Sequence, residues 1–181
     1  MRYRKLINLK DGRECLLRNA EEEDGQAVLD NFVLTHEQTD NLSSYADEIT
    51  LTVEQERAFL KAKADSRNEL ELIAIVEGRV AGLAGMVSIG GRCKVRHRAS
   101  FGISVDRKYW GLGIGSAMLE VCIACARDAG YEQLELEVVS ENRTALMMYK
   151  KAGFEEYGRN PRGMKSRTAG YQELVYMKME L

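Results

Sequence analysis

Apolar and polar residues alternate most regularly between Arg92 and Val105. Odd-numbered positions from Cys93 onward are mainly apolar, whereas even-numbered positions are basic, small or polar. A repeat of two is typical of a strand that buries one face, so the pattern predicts a strand over residues 92–105. We expect Gly102 to mark a bulge in this strand.

Periodicity and end signals divide the rest of the chain into further strands and helices. Asn19 with Glu22, and Thr52 with Gln55, have the spacing of capping boxes and predict two helix starts. The residues at 77–79 predict a hairpin turn. The predicted strands cover residues 14–17, 70–76, 80–88, 133–139 and 171–179, with one more from 154; the predicted helices cover about 20–36, 53–65, 114–129 and 143–152.

This order of elements favours an α/β or α+β fold with a mixed sheet. Strands 99–105 and 133–139 are joined through one helix, so we expect them to be parallel, with a right-handed crossover. A chain of 181 residues without repeats or linkers is expected to form a single domain over residues 1–181.

Composition narrows the range of functions. The net charge is −2, from 26 basic and 28 acidic residues, so no overall field attracts nucleic acid. No apolar run suits a membrane span or a signal peptide, and we expect no membrane partner and a cytoplasmic location. Cys122 and Cys125 fall inside a predicted helix and are expected to be buried, and no His/Cys spacing indicates a metal site.

Three alternate glycines, Gly111, Gly113 and Gly115, follow an apolar strand and open a predicted helix. Glycine lets the backbone approach a ligand, and the unpaired N–H groups of a helix start favour phosphate. A P-loop is excluded because that motif ends in Gly-Lys-Ser/Thr, whereas this chain has Gly115 followed directly by Ser116. A dinucleotide fingerprint is excluded because Ser116 stands where that motif requires glycine or alanine.

A second motif occupies residues 142–154. Asn142 suits an N-cap and Gly153 suits a helix stop, while Ala145, Leu146 and Tyr149 fall on one helical face. Together the two motifs resemble the GNAT superfamily of N-acetyltransferases. Residues 110–115, Trp-Gly-Leu-Gly-Ile-Gly, are similar to the family's acetyl-CoA pyrophosphate loop, and residues 142–154 to its Asn-x-x-Ala-x-x-x-Tyr-x-x-x-Gly-Phe segment. The likeness in element order extends over about residues 13–181.

The resemblance implies both a fold and a cosubstrate. The fold is a mixed, mostly antiparallel central sheet with helices on both faces, in which the two parallel strands splay into a V that holds the pantetheine of acetyl-CoA. Trp110 departs from the family's usual arginine or glutamine, and we expect its side chain to pack against the ligand. The residues that the resemblance assigns to acetyl-CoA are Val105, Trp110, Gly111, Leu112, Gly113, Ile114, Gly115, Ser116, Asn142, Ala145 and Tyr149.

Three of these residues have more specific roles by the same resemblance. Tyr149 resembles the general acid that protonates the departing CoA thiolate, although a core aromatic would have the same spacing. Asn142 resembles a cofactor-contacting asparagine, although a plain N-cap would also satisfy it. The backbone of Val105 lies where the family holds the acetyl and pantetheine groups, and a donor there would stabilise an oxyanion.

The sequence leaves the general base open. Many family members place a carboxylate near the position of Ser100, but residues 99–105 contain neither Asp nor Glu. The candidates are Glu37, Glu135, Glu137 and His97 acting through water, and bulk water is an equal alternative.

The function implied is N-acetyl transfer from acetyl-CoA to an amine, of a small molecule, peptide or protein, by direct attack. The alternative is a CoA-binding sensor without catalysis, favoured by Trp110 and by the missing carboxylate. A homodimer is expected, because the resemblance commonly implies one and the last strand is taken as an available edge. Two basic clusters are interpreted as solvated surface or as sites for an acidic acceptor or the 3′-phosphate of CoA: Arg92, Lys94, Arg96 and Arg98 on a strand, and Arg159, Arg162, Lys165 and Arg167 in a loop.

Overall fold

The computed structural model describes residues 2–181, which form eight strands and four α-helices. Short 3₁₀ turns at Glu22–Asp24, Ala46–Glu48 and Arg107–Tyr109 lie between them. In chain order the elements are β1 (Arg4–Asn8), β2 (Glu14–Asn19), α1 (Gly25–Gln38), α2 (Val53–Asp65), β3 (Leu70–Val76), β4 (Arg79–Ser88), β5 (Arg98–Val105), α3 (Ile114–Asp128), β6 (Gln133–Val139), α4 (Arg143–Ala152), β7 (Glu155–Ser166) and β8 (Gly170–Glu180).

All eight strands belong to one sheet, in the order β1-β2-β3-β4-β5-β6-β8-β7. Every neighbouring pair is antiparallel except β5 and β6, which are parallel. The expected mixed, mostly antiparallel sheet with one parallel pair is therefore confirmed. The prediction that the last strand is an edge of the sheet is wrong, because β8 lies between β6 and β7. The edge strands are β1 and β7.

Helices cover both faces of the sheet. Leu60 of α2 packs with Ile73 of β3 in a small core that also takes in α1. On the opposite face, α3 and α4 enclose the larger core, in which Met118, Cys122 and Cys125 are buried. The two cysteines are thus core residues, as expected, and the alternation of side chains along the strands gives each face its own set of apolar residues.

The strand predicted over residues 92–105 is shorter in the structure than the alternation indicates. β5 begins only at Arg98, because Val95 and Arg96 both donate their backbone N–H to the Arg92 carbonyl and close a turn at 2.9 Å. An alternating sequence forms a strand only where a neighbouring strand pairs with it. β4 pairs with β5 as far as the bond from the Ile89 N–H to the Arg98 carbonyl, and residues 92–97 have no partner strand. The bulge expected at Gly102 is absent too, since the β4–β5 register runs without a shift.

The amino-terminal prediction fails at one cap and succeeds at the other. Asn19 ends β2 and accepts the Tyr3 N–H at 2.6 Å, so it does not start a helix, and β1 was not predicted. Thr52 and Gln55 form the expected reciprocal capping box at the start of α2.

The basic loop expected before the last strand is itself a strand. Residues 159–166 belong to β7, the exposed edge strand, where charged side chains reach solvent on both sides of Pro161. The ladder to β8 shifts between Asn160 and Met164, which accommodates a proline that cannot donate a hydrogen bond. Within residues 2–181 no helix is long and apolar enough to cross a membrane.

Candidate active site

The sheet opens along the line between β5 and β6. These strands pair only from Arg98–Gln133 to Ser100–Glu135, three residues on each strand. Arg98 clamps the paired end, since its Nε and Nη2 both donate to the Glu135 carboxylate, the second at 2.8 Å. Beyond Ser100 the two strands have no pairing with each other, and we call the space between them the strand gap.

Peptide groups line the strand gap without a strand partner. In an antiparallel ladder alternate residues bond to the same neighbour, and Arg98 and Asp106 both bond to β4. The odd-numbered residues of β5 therefore turn toward β6, which leaves the peptide groups of Ile103 and Val105 facing the gap. One acceptor there is used, because the Trp110 indole N–H donates to the Val105 carbonyl at 2.6 Å.

A glycine turn (residues 111–115) connects the end of β5 to α3. Gly111 and Gly113 have φ of 76° and 100°, a conformation that side chains with a Cβ rarely adopt. A Cβ added to either would meet no atom within 4 Å, so open space lies over this backbone. Gly113 is the N-cap of α3, and the helix start directs unpaired N–H groups into that space.

Glycine is required at position 115 for a different structural reason than at positions 111 and 113. A Cβ there would lie 3.3 Å from Met148 Sδ, so this glycine permits α3 and α4 to approach closely. Ser116 and Met148 line an open groove between these two helices, with Lys151 on its rim.

Trp110 lies beside the turn with about half of its surface exposed, at 49%. Its indole is fixed by the Val105 carbonyl, and the Arg107 guanidinium lies 5.4 Å from the ring centroid. The side chain is therefore held against the end of β5 and still presents an open ring face beside the gap.

The 142–154 motif forms α4 as the sequence predicts. The Asn142 side chain accepts the Ala145 N–H at 3.2 Å, and Gly153 ends the helix with φ of 104°. Ala145 and Leu146 pack against the large core. The capping role of Asn142 is confirmed, and its expected contact with a cofactor stays a prediction.

Tyr149 lies on the same face of the sheet as Phe101 and only 6% of it is exposed. Its ring packs edge-on against Phe101, at 6.3 Å between centroids, and against Phe154 at 5.9 Å. Burial raises the pKa of the Tyr149 phenol above its ordinary value of 10. Its hydroxyl makes no hydrogen bond to the described residues, so a protonated donor is available at neutral pH.

The base candidates named from the sequence are unequal in the structure. Glu135 is bound by Arg98 and also accepts from the Tyr157 hydroxyl at 3.4 Å, so it is not a free acceptor. Glu137 is exposed on β6 beside the strand gap, and Glu37 is exposed on α1. His97 precedes β5 and its carbonyl binds two backbone N–H groups, at 2.9 and 3.2 Å.

The sequence analysis missed Glu71, a carboxyl that lies level with Gly85 of β4 and Gly102 of β5. It occupies β3 inside the run Leu-Glu-Leu-Ile-Ala-Ile-Val, where it is the only charged residue. Its Oε2 is 2.8 Å from where a Cβ on Gly85 would stand. The signal that could have found it is a single charge in an apolar strand opposite a glycine in the next strand. Among residues 2–181 no cluster of three or more His, Cys, Asp or Glu side chains could hold a metal ion.

A connecting segment (residues 39–52) joins α1 to α2 and lies against the β7–β8 hairpin. Tyr45 accepts the Arg167 backbone N–H at 2.7 Å, and its ring lies 4.0 Å below the Arg167 guanidinium. The same guanidinium bonds both Asp47 oxygens at 2.8 Å, and Gln172 donates to the Asp40 carbonyl at 3.0 Å. These contacts bring the segment to the side of the sheet formed by β6, β7 and β8.

The two basic clusters do not form one phosphate site. Arg159 is engaged by Glu156 and Glu173, and Arg98 by Glu135. The turn at residues 92–97 precedes β5, whereas the glycine turn follows it, so the strand separates them.

Comparison with known proteins finds acetyltransferases in both sequence and structure. Residues 34–154 match the acetyltransferase (GNAT) family. The L-amino acid N-acetyltransferase AaaT of Escherichia coli (strain K12) is 27% identical over 165 residues, 91% of this chain and 96% of that protein. An acetyltransferase of the GNAT family from Streptococcus pneumoniae has a TM-score of 0.88 at 30% identity, covering 92% of this chain and 99% of that one. The yncA structure from Salmonella typhimurium, which contains its cofactor acetyl-CoA, has the same fold, with a TM-score of 0.81 at 18% identity over 97% of this chain and 95% of that one.

The Arg167 contacts predict a local change in dynamics. Arg167→Ala removes the cation above Tyr45 and the bonds to Asp47, so amide hydrogen exchange in the connecting segment should accelerate about fivefold, since exposed charge pairs contribute modestly. Arg162→Ala is the matched control: Arg162 lies 4.8 Å from the Tyr171 ring centroid on the same hairpin. Equal exchange in the two variants would show that Arg167 does not hold the segment.

Proposed function

The chain belongs to the GNAT family of acetyltransferases, and from that membership we propose that it transfers the acetyl group of acetyl-CoA to a primary amine by direct attack within a ternary complex. The observation that carries the proposal is the strand gap together with the glycine turn at its end. Peptide groups without a strand partner and an open helix start lie one after the other along the chain. GNAT acetyltransferases use acetyl-CoA.

The pyrophosphate and the pantetheine of acetyl-CoA each have a suitable surface along this stretch of the chain. The N–H groups at the start of α3 suit the pyrophosphate, because they are unpaired and lie at the positive end of the helix dipole. The amide-rich pantetheine suits the peptide groups of Ile103 and Val105, which have lost their strand partner. Leu112, Ile114 and Ser116 belong to the turn and the first residues of α3, and Trp110 supplies an aromatic face.

The chemistry follows from groups that the chain holds in place. The neutral amine forms a bond to the thioester carbon, and the carbonyl electrons move to an oxygen that a backbone N–H at the gap stabilises. When the C–S bond breaks, the sulfur takes the electron pair and Tyr149 donates its proton to it. The amine nitrogen loses one proton to solvent, and Tyr149 regains its own, so the products are an amide and free CoA thiol.

The test is a thiol-release assay with acetyl-CoA and a panel of amines, with the acetylated product identified by mass spectrometry. L-amino acids come first in the panel because the Escherichia coli relative is named for them. Turnover with an amine supports the proposal. Binding of acetyl-CoA without turnover on any amine would favour the alternative, a CoA-binding sensor.

The proposal includes the oligomeric state and the location of the protein. A homodimer would use an exposed edge of the sheet, and the edge strands are β1 and β7. A cytoplasmic location is consistent with the composition.

Gly113→Ala tests the phosphate-binding role of the glycine turn. The new methyl group enters the open space above the helix start, so acetyl-CoA affinity measured by calorimetry should fall about tenfold or more, as for lost hydrogen bonds to a charged group. Gly130→Ala is the matched control, because Gly130 has φ of 81°, follows the other end of α3 and also faces open space.

Both variants should lose about 1–2 kcal/mol of unfolding free energy, the cost of a side chain in the left-handed region. Only Gly113→Ala should lose affinity. An unchanged dissociation constant in a folded Gly113→Ala variant would contradict the assignment.

Tyr149→Phe tests the general acid. The ring packing against Phe101 and Phe154 is kept and only the proton donor is removed, so acetyl-CoA affinity should hold while kcat falls about 100-fold. Tyr131→Phe is the control: Tyr131 is also buried, but its hydroxyl bonds Asn68 at 3.0 Å. A kcat within twofold of wild type in Tyr149→Phe, with chemistry rate-limiting, would make Tyr149 a packing residue.

A further inference from the structure

Glu71, Gly85 and Gly102 lie at one level across three neighbouring strands. The ladder pairs Glu71 of β3 with Gly85 of β4, and Gly85 with Gly102 of β5. Paired residues place their side chains on the same face, and here it is the face covered by α1 and α2. Gly102 is two residues past the last paired position of β5, at the edge of the strand gap.

The two glycines leave room for the Glu71 carboxyl to extend toward the gap. Its Oε2 occupies the space that a Gly85 side chain would fill, 2.8 Å from an ideal Cβ. On Gly102 an added Cβ would meet nothing within 4 Å, so the space continues open to the edge of β5. The Glu71 carboxyl thus lies over Gly85 of β4, and neither Gly85 nor Gly102 places a side chain between it and the gap.

The carboxyl of Glu71 is free, in contrast to that of Glu69 on the same face. Glu69 binds Lys63 at 2.5 Å and accepts the Ser88 N–H at 3.1 Å. No hydrogen bond joins the Glu71 carboxyl to another described residue. The Glu71 side chain is only half-buried, so solvent reaches its carboxyl oxygens.

The groups around Glu71 disfavour its charged form. Burial and the nearby Glu56 carboxyl on α2 raise its pKa to about 8, and Lys63 on α2 offsets this in part. Burial also raises the pKa of Glu56. Across the sheet, Glu71 acts in turn on the Cys122 thiol of α3. A carboxyl that loses its proton near pH 8 is a stronger base than an exposed glutamate.

Phe101, the residue before Gly102, contacts Tyr149 on the opposite face of the same strand. The proposed proton donor and the Glu71 carboxyl therefore approach the gap from opposite faces at one level of β5. One group can then take a proton from the amine while the other supplies a proton to the departing thiolate.

We propose that Glu71 binds the ammonium group of the acceptor and removes its proton before attack, which makes it the general base of the transfer. This inference rests on the proposed acetyltransferase function. The proton passes from R–NH₃⁺ to the Glu71 carboxylate, giving R–NH₂ and a neutral carboxyl, which then releases the proton to solvent. The carboxyl needs no other partner for this step.

The experiment compares the pH dependence of acceptor kcat/KM in wild type, Glu71→Gln and Glu56→Gln. Two acceptors with different amine pKa values identify the limb that belongs to the enzyme, because that limb does not move with the acceptor. We expect wild-type activity to rise with pH up to about 8, as Glu71 loses its proton. Glu71→Gln should lose this limb and about 100-fold in kcat/KM while acetyl-CoA affinity holds.

Glu56→Gln is the neighbouring control on α2. Removing its charge lowers the pKa of Glu71, so the limb should move to lower pH and activity should be retained. Gly85→Ala is a second variant should Glu71→Gln fail to fold: its methyl group displaces the flexible end of Glu71, so the limb should shift and the rate fall.

The outcomes separate the two proposals. Wild-type turnover with an unchanged profile in Glu71→Gln, or in Gly85→Ala, would overturn the role of Glu71 and leave the acetyltransferase function standing. Absence of wild-type turnover on every amine would overturn both.

Discussion

Beyond Ser100 and Glu135, β5 and β6 cannot bond to each other because each follows its outer neighbour. β5 continues along β4 to Asp106, and β6 continues along β8 to Ser140. The Arg98–Glu135 ion pair fixes the point of separation. Peptide groups at the two inner edges are left without a strand partner, and folded proteins rarely tolerate such groups unless a side chain, water or a ligand satisfies them. The active-site proposal depends on this single interruption of the sheet.

Because the sheet is interrupted beside β5, this strand can be reached from both faces of the sheet. On one face, α3 begins at the glycine turn and Tyr149 packs beside Phe101, a combination suited to the phosphates and thiol of CoA. On the other face, Gly102 leaves open space that Glu71 approaches, and the connecting segment closes toward β7 and β8. Two substrates that enter from opposite faces can meet at β5 without displacing each other.

Elements with local end signals could be predicted from the sequence to the residue. α4 lies between the Asn142 cap and Gly153, α2 starts after Thr52, and the strand at 133–139 has the expected bounds. The failures are non-local. Residues 92–97 alternate but have no strand partner. The second half of β7, residues 159–166, was taken for a loop because basic residues suit both a loop and an edge strand. Glu71 was missed because only the register of three strands places it at the level of Gly102.

The central claim is that the peptide groups of the strand gap and the glycine turn bind acetyl-CoA. The most direct measurement is a titration of the ¹⁵N-labelled protein with acetyl-CoA, followed by backbone amide chemical shifts. The account predicts that the largest changes occur at Ile103, Val105, Gly111 and Gly113. Ser104, whose peptide group faces β4, should change less. Large changes confined to other parts of the chain, with the amides of Ile103 and Gly113 unaffected at saturation, would contradict it.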